Sequence, residues 1–147
     1  MKSLRRSTER GNALLEFALG FVLLWACFSG VFQYGYSMWV YNNLATAVSN
    51  GGIFASRASC DTRNDRFERE VRNVVVFGNP AGTGAPLLAT LTPGHVVVTR
   101  DPVAGVPRTV SISIAGFRVN SIFREFTFDG KPSCTMKFTG KYMTAAP

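Results

Sequence analysis

The sequence predicts an α+β protein: a long N-terminal transmembrane helix followed by a small antiparallel-sheet extramembrane domain. Three observations lead there. From Phe17 to Ser56 there is no Asp, Glu, Lys or Arg, and residues 13–32 are apolar for about 30 Å of helix, the thickness of a bilayer's hydrocarbon. Beyond Ser56 charge returns, with 12 basic against 7 acidic side chains. In that second part, Thr109–Ala115 alternates Val110, Ile112 and Ile114 with Thr109, Ser111 and Ser113, the period of a strand with one wet face.

Composition sets the outer bounds. A chain of 147 residues is room for one domain with an appendage. It is 46% hydrophobic and only 17% charged, which excludes a disordered chain. The 14 glycines have no period and there are three cysteines, so neither a collagen nor a disulfide-dense miniprotein fits. The chain divides into residues 1–11, a basic leader; 12–34, the membrane span; 35–56, a helical extension; and 57–147, the extramembrane domain.

Before the span, Lys2, Arg5, Arg6 and Arg10 are offset only by Glu9. The positive-inside rule then places the N-terminus in the cytoplasm and residues 57–147 outside. Tyr34, Tyr36, Trp39 and Tyr41 follow the apolar run 13–32, where amphipathic rings suit the membrane–water interface. A cleaved secretory signal is a poor alternative, since no good A-x-A site follows and the uncharged stretch is too long. Leu24-Trp25-Ala26-Cys27 is a poor lipobox, with a bulky Trp before the Ala and an apolar stretch after the Cys.

Glu16 is the residue that neither alternative explains. A carboxylate in a spanning helix costs roughly 2.5–3.5 kcal/mol at the centre and less near an end, where it can snorkel. Glu16 stands five residues after Gly11, in the string Arg10-Gly11-Asn12-Ala13-Leu14-Leu15-Glu16-Phe17. This resembles the type IV prepilin signature: a short basic leader ending in Gly, then an apolar helix with Glu at its fifth position. The longer string Gly11–Leu19, with Phe17 after the Glu, resembles the TadE-like proteins of the Flp pilus (tight adherence) system. Val71–Gly84 is similar to their midsection.

The resemblance implies a pilin-like fold and cleavage between Gly11 and Asn12 by a prepilin peptidase. It implies that Glu16 pairs with the N-terminal amine of a neighbouring subunit. It implies, as partners, that peptidase, the major Flp pilin, other minor pilins and the inner-membrane pilus platform, beside membrane lipid. The physics is compatible, because a buried charge is tolerable when paired and the pairing sets register. Two alternatives remain from the residues: a single-pass membrane-tethered binding module unconnected with pili, and a lipid-anchored or periplasmic enzyme released from its signal.

Past the span, Tyr36, Val40, Leu44, Ala47, Gly51 and Phe54 step by three and four, so the helix is expected to run to about residue 50, with Gly51-Gly52 ending or kinking it. Ala26 and Gly30, four apart, would allow close helix approach in lipid. Asp61–Arg72 reads as a short amphipathic helix passing into Val74–Phe77, and residues 78–86 as a turn-rich loop. Val96–Thr99 and Thr109–Ala115 are strands, joined by a loop over 101–107. Phe126–Phe128 and Cys134–Tyr142 are expected to form a last hairpin around Asp129–Pro132, with Cys134, Met136, Phe138 and Tyr142 on one face. Cys60 and Cys134 both fall outside the membrane, where they would oxidise to one disulfide or remain two buried thiols; the bridge would close a loop worth about 4 kcal/mol.

No enzyme chemistry is legible. His95 is the only histidine, and three scattered cysteines lack metal-ligand spacing. The glycines of 78–84 lack the Lys-Ser/Thr of a phosphate loop. No cofactor or metal is expected. Phe117-Arg118 and Phe123-Arg124-Glu125-Phe126 interleave aromatics with Arg, but the modest net charge and the absence of a recognition motif favour core faces with solvated arginines over nucleic-acid binding.

Overall fold

The computed structural model describes residues 4–61, 65–103, 106–120 and 125–143. It has the expected α+β architecture. Helix α1 covers Leu4–Arg57 and helix α2 Arg66–Phe77. The strands are β1 (Cys60–Asp61), β2 (Val96–Val103), β3 (Val106–Ile114), β4 (Phe117–Asn120), β5 (Glu125–Phe128), β6 (Ser133–Lys137) and β7 (Tyr142–Met143). The chain divides into two compact units, residues 1–37 and 38–147.

The first unit is the N-terminal part of α1. An 18-residue stretch of the helix averages a hydropathy of 2.0 and buries none of its residues within the chain. Leu14, Phe17, Leu24 and Val31 are each at least two-thirds exposed. Such a continuous apolar surface is unfavourable in water and suits a hydrocarbon solvent. Ser37, near its end, satisfies its hydroxyl on the carbonyl of Gln33 at 2.9 Å, one turn back.

The second unit is built on a three-stranded antiparallel sheet in the order β2-β3-β6. Its inner face carries Val96, Val110, Ile112 and Ile114, all buried. Against it pack α2, through Phe67, Val71 and Val75, and the last turns of α1, through Val40, Leu44, Ala47, Val48 and Ala55. The β4–β5 hairpin adds Phe117 and Val119, which alternate with exposed Arg118 and Asn120. A two-residue parallel pair joins β1 to β7.

Four expectations change. Helix α1 runs past Gly51-Gly52 to Arg57. The glycines do not break it; they let other elements touch its backbone. A Cβ on Gly51 would run into Cγ2 of Val75, and one on Gly52 would stand 3.0 Å from Sγ of Cys134. Second, Val74–Phe77 belongs to α2, because Val74, Val75 and Val76 continue its buried face. The helix ends at Gly78, which has φ 75° and returns its N–H to the carbonyl of Val74 at 3.0 Å. Third, most of the expected 101–107 loop is strand, since β2 and β3 pair as far as Val103 and Val106 after a register shift at Asp101/Pro102. Residues 104–105 at its tip lie outside the described residues.

Fourth, the last hairpin does not form. β5 pairs with β4, while β6 crosses to the free edge of β3 and β7 to β1. The period-2 pattern fixed which side chains face inward but carried no information on the strand's neighbour. The C-terminal segment also closes the end of α1. Thr139 donates both its backbone N–H, at 2.8 Å, and its hydroxyl, at 3.0 Å, to the carbonyl of Ser56. That carbonyl is among the last four of the helix, which lack a partner within it.

Candidate functional site

The residues singled out at the N-terminus all lie on one uninterrupted helix. Gly11, Asn12, Glu16 and Phe17 are exposed. A Cβ built on Gly11 meets no atom within 4 Å, so the space at its side-chain position is open. Phe17 begins an aromatic ladder that sequence reasoning missed. It stacks on Phe21 with ring centroids 6.4 Å apart, Phe21 on Trp25 at 6.3 Å, and Trp25 meets Phe28 at 6.5 Å. The steps of four, four and three place these rings on one face of the helix; counting aromatics at helical spacing would have found them.

Glu16 lies off that face. Asn12, Glu16, Leu19, Leu23, Ala26 and Gly30 step alternately by four and three, which aligns them along a second stripe. This stripe carries the carboxylate at one end and the small residues Ala26 and Gly30 further along. Gly30 has no atom within 4 Å of a built Cβ. The two stripes differ in kind: one is broad and aromatic, the other narrow, with a single charge. In a bilayer, lipid tails would solvate the first, and only a polar or charged partner would match Glu16 on the second.

Cys60 and Cys134 are free thiols. Cys60, on β1, is buried, and its sulfur accepts from a guanidinium nitrogen of Arg100 at 3.6 Å. Cys134, on β6, is half-buried beneath Gly52. The C-terminal segment is tied to the end of α1 by the β1–β7 pair and by Thr139. Cys27 is an exposed thiol on the apolar part of α1.

Around Cys60 the structure gathers a polar cluster that the sequence did not advertise. Arg100 reaches Glu68 at 2.6 Å, and Glu68 also meets Arg72 at 3.5 Å. Burial opposes the charge on Arg100, but its contacts with the Cys60 sulfur and the Glu68 carboxylate outweigh it and hold the guanidinium's pKa above its ordinary value. The cluster ties β1, β2 and α2 together. Its partners lie 32 and 40 residues apart in sequence, so no local motif reveals it.

His95 is half-buried. Its Nδ1 lies 2.9 Å from the Thr92 hydroxyl and 3.2 Å from the backbone N–H of Thr92. Its ring stands edge-on to Phe117 at 5.6 Å. It closes a 3-10 turn over Pro93–His95 and packs against the core. Among the described residues, no group of three or more His, Cys, Asp or Glu is placed to hold a metal ion. Of the aromatic–arginine pattern, Phe117 is core and Arg118 meets Glu125 at 3.6 Å. Phe123 and Arg124 lie outside the described residues.

No curated protein and no solved structure matches the chain. A protein-family model described as TadE-like protein matches residues 11–52. The match begins at Gly11 and takes in Glu16, both stripes of the apolar helix and the two close-packed glycines. Over residues 11–52, therefore, this chain is similar to TadE-like proteins, as its N-terminal string Gly11–Leu19 indicates.

Proposed function

We propose that this protein is a minor pilin or pseudopilin of the Flp (Tad) pilus, taking part in pilus assembly and surface adhesion, with no catalysis of its own. The observation that carries the reading is Glu16, five residues after a sterically open Gly11, on an apolar helix whose TadE-like match starts at that glycine. A prepilin peptidase cuts after Gly11 and leaves Asn12 as the mature N-terminus. The new amine is positive and Glu16 is negative, so neighbouring subunits neutralise both in a low-dielectric surrounding where neither is stable alone. The Ala26–Gly30 stripe then allows close approach between helices.

In this reading residues 1–11 are the leader, 12–34 the span, 35–56 the extension and 57–147 the extracytoplasmic part of a single-pass inner-membrane protein with its N-terminus in the cytoplasm. The major Flp pilin, other minor pilins and the membrane platform are its partners. Oxidation of Cys60 and Cys134 belongs to the same reading; the two strands that carry them would have to approach for it.

The test is pilus assembly in cells carrying Glu16→Leu or Glu16→Asp. Glu16→Leu is expected to be inserted and cleaved normally but to abolish assembly, with Glu16→Asp intermediate. Normal pili in cells lacking the protein would overturn the assignment.

A further inference from the structure

The outer face of the three-stranded sheet is a regular grid. The register aligns Thr99, Ser111 and Thr135 in one row and Asp101, Thr109 and Lys137 in the next. Ser111 and Thr135 already share a hydroxyl–hydroxyl hydrogen bond at 2.8 Å. The four residues on the two outer strands are exposed and the two on β3 half-exposed. The second row carries opposite charges at its two ends, about 10 Å apart across two strand spacings. Among the described residues, neither Asp101 nor Lys137 has an ion-pair partner.

From this we infer that the face is a two-fold contact with a second copy of this chain. A two-fold axis lying in the contact plane, parallel to β3 and passing over Ser111, exchanges the two outer strands. Asp101 then faces the partner's Lys137, and Lys137 faces the partner's Asp101. Thr99 faces the partner's Thr135, where each hydroxyl can donate and accept. Ser111 faces the partner's Ser111 on the axis. The face is self-complementary in charge and in hydrogen bonding, as an isologous contact requires.

The axis direction is independently reasonable. Cys134 and Met136 lie at Gly52, and Thr139 lies at Ser56. So β6 and the end of α1 advance in the same sense. An axis along the strands leaves the α1 ends of the two copies, which pack on their own sheets, running the same way. An axis across the strands would oppose them. Two rows of three residues make a small patch, and a stable soluble interface needs roughly 1,000 Å² of total buried area. Membrane anchoring supplies the effective concentration that so small a contact lacks.

The experiment uses the full chain in membranes, with Cys27→Ala to remove the exposed thiol. Ser111→Cys is oxidised mildly and the disulfide-linked dimer is measured. A dimer at least fivefold above that of Thr83→Cys, an exposed position off this face, is expected. Asp101→Lys and Lys137→Asp, each added alone, are expected to reduce the dimer severalfold. Co-expressing the two single variants under different tags should restore a heterodimer, since each then offers the charges the other needs. Should Ser111→Cys fail to fold, Thr99→Cys and Thr135→Cys on separately tagged chains give the same reading. Equal linking of Ser111→Cys and Thr83→Cys, or charge reversals without effect, would overturn the proposal. None of these readouts involves pili, so the inference stands or falls apart from the pilin assignment.

Discussion

Gly51 and Val75 meet where α2 packs onto α1, so closely that a methyl on residue 51 would occupy the place of Val75 Cγ2. Val75 is fully buried and its branched side chain is stiff at χ1. Gly51→Ala therefore overpacks the core, at a cost of about 1–3 kcal/mol. The better helix propensity of Ala returns about 1 kcal/mol. The net expectation is a lower melting temperature for the unit of residues 38–147. Gly52→Ala should be milder, because the ends of Cys134 and Met136 can give way. Gly20→Ala, where a Cβ meets nothing within 4 Å, should leave the melt unchanged. Thermal unfolding of the full chain in detergent ranks the three.

The carbonyl of Ser56 receives two donors from Thr139. Thr139→Val removes one and keeps the branched shape, so a loss of about 1 kcal/mol is expected. Gly140→Ala should cost more, since its Cβ would strike the backbone carbonyl of Ala58, which cannot yield as a side chain can. Proteolysis of the C-terminal segment, followed by mass spectrometry, reports the loosening directly.

Arg100→Gln strips Glu68 of its shortest ion pair and Cys60 of its donor. The pair is part-exposed, which holds the expected loss to about 1 kcal/mol. The pH dependence has a definite sign. The pKa of Arg100 is raised in the folded state, so its contribution is complete below its unfolded value and fades only as pH rises through the folded one, in strong alkali. Between pH 5 and 9 the stability difference between wild type and Arg100→Gln should owe nothing to titration of Arg100. Parallel melts across that range check it.

Thiol counting addresses the cysteines. Protein with all thiols free, as in the structure, should label once at exposed Cys27 under native conditions and three times after denaturation. Protein isolated from an oxidising compartment with a Cys60–Cys134 bridge would label once in both.

Much of this was legible from sequence, and the misses share a cause. The uncharged stretch 17–56 gave α1, and the alternation over 109–115 gave the buried face of β3, because both signals are local. Gly51-Gly52 misled because a glycine pair that ends a helix and one that admits a neighbour look alike until Val75 and Cys134 are placed beside it. The partner of β6 was invisible for the same reason: the pattern from Cys134 to Phe138 says which side is wet, not that Ile112 lies opposite Cys134. At the candidate site, Gly11 and Glu16 lie in one local string, and its resemblance to the prepilin signature singles them out. The Arg100–Glu68–Cys60 cluster could not be read that way, since its members come from three elements.

The central claim is that Gly11 is a processing site on a pilin-type helix. It is tested most directly by the intact mass and N-terminal sequence of the membrane-extracted protein, made with and without a co-expressed prepilin peptidase. A peptidase-dependent start at Asn12 is the predicted result. A start at Met1 under both conditions would contradict it, and would leave an apolar anchor whose Glu16 has no new amine to meet.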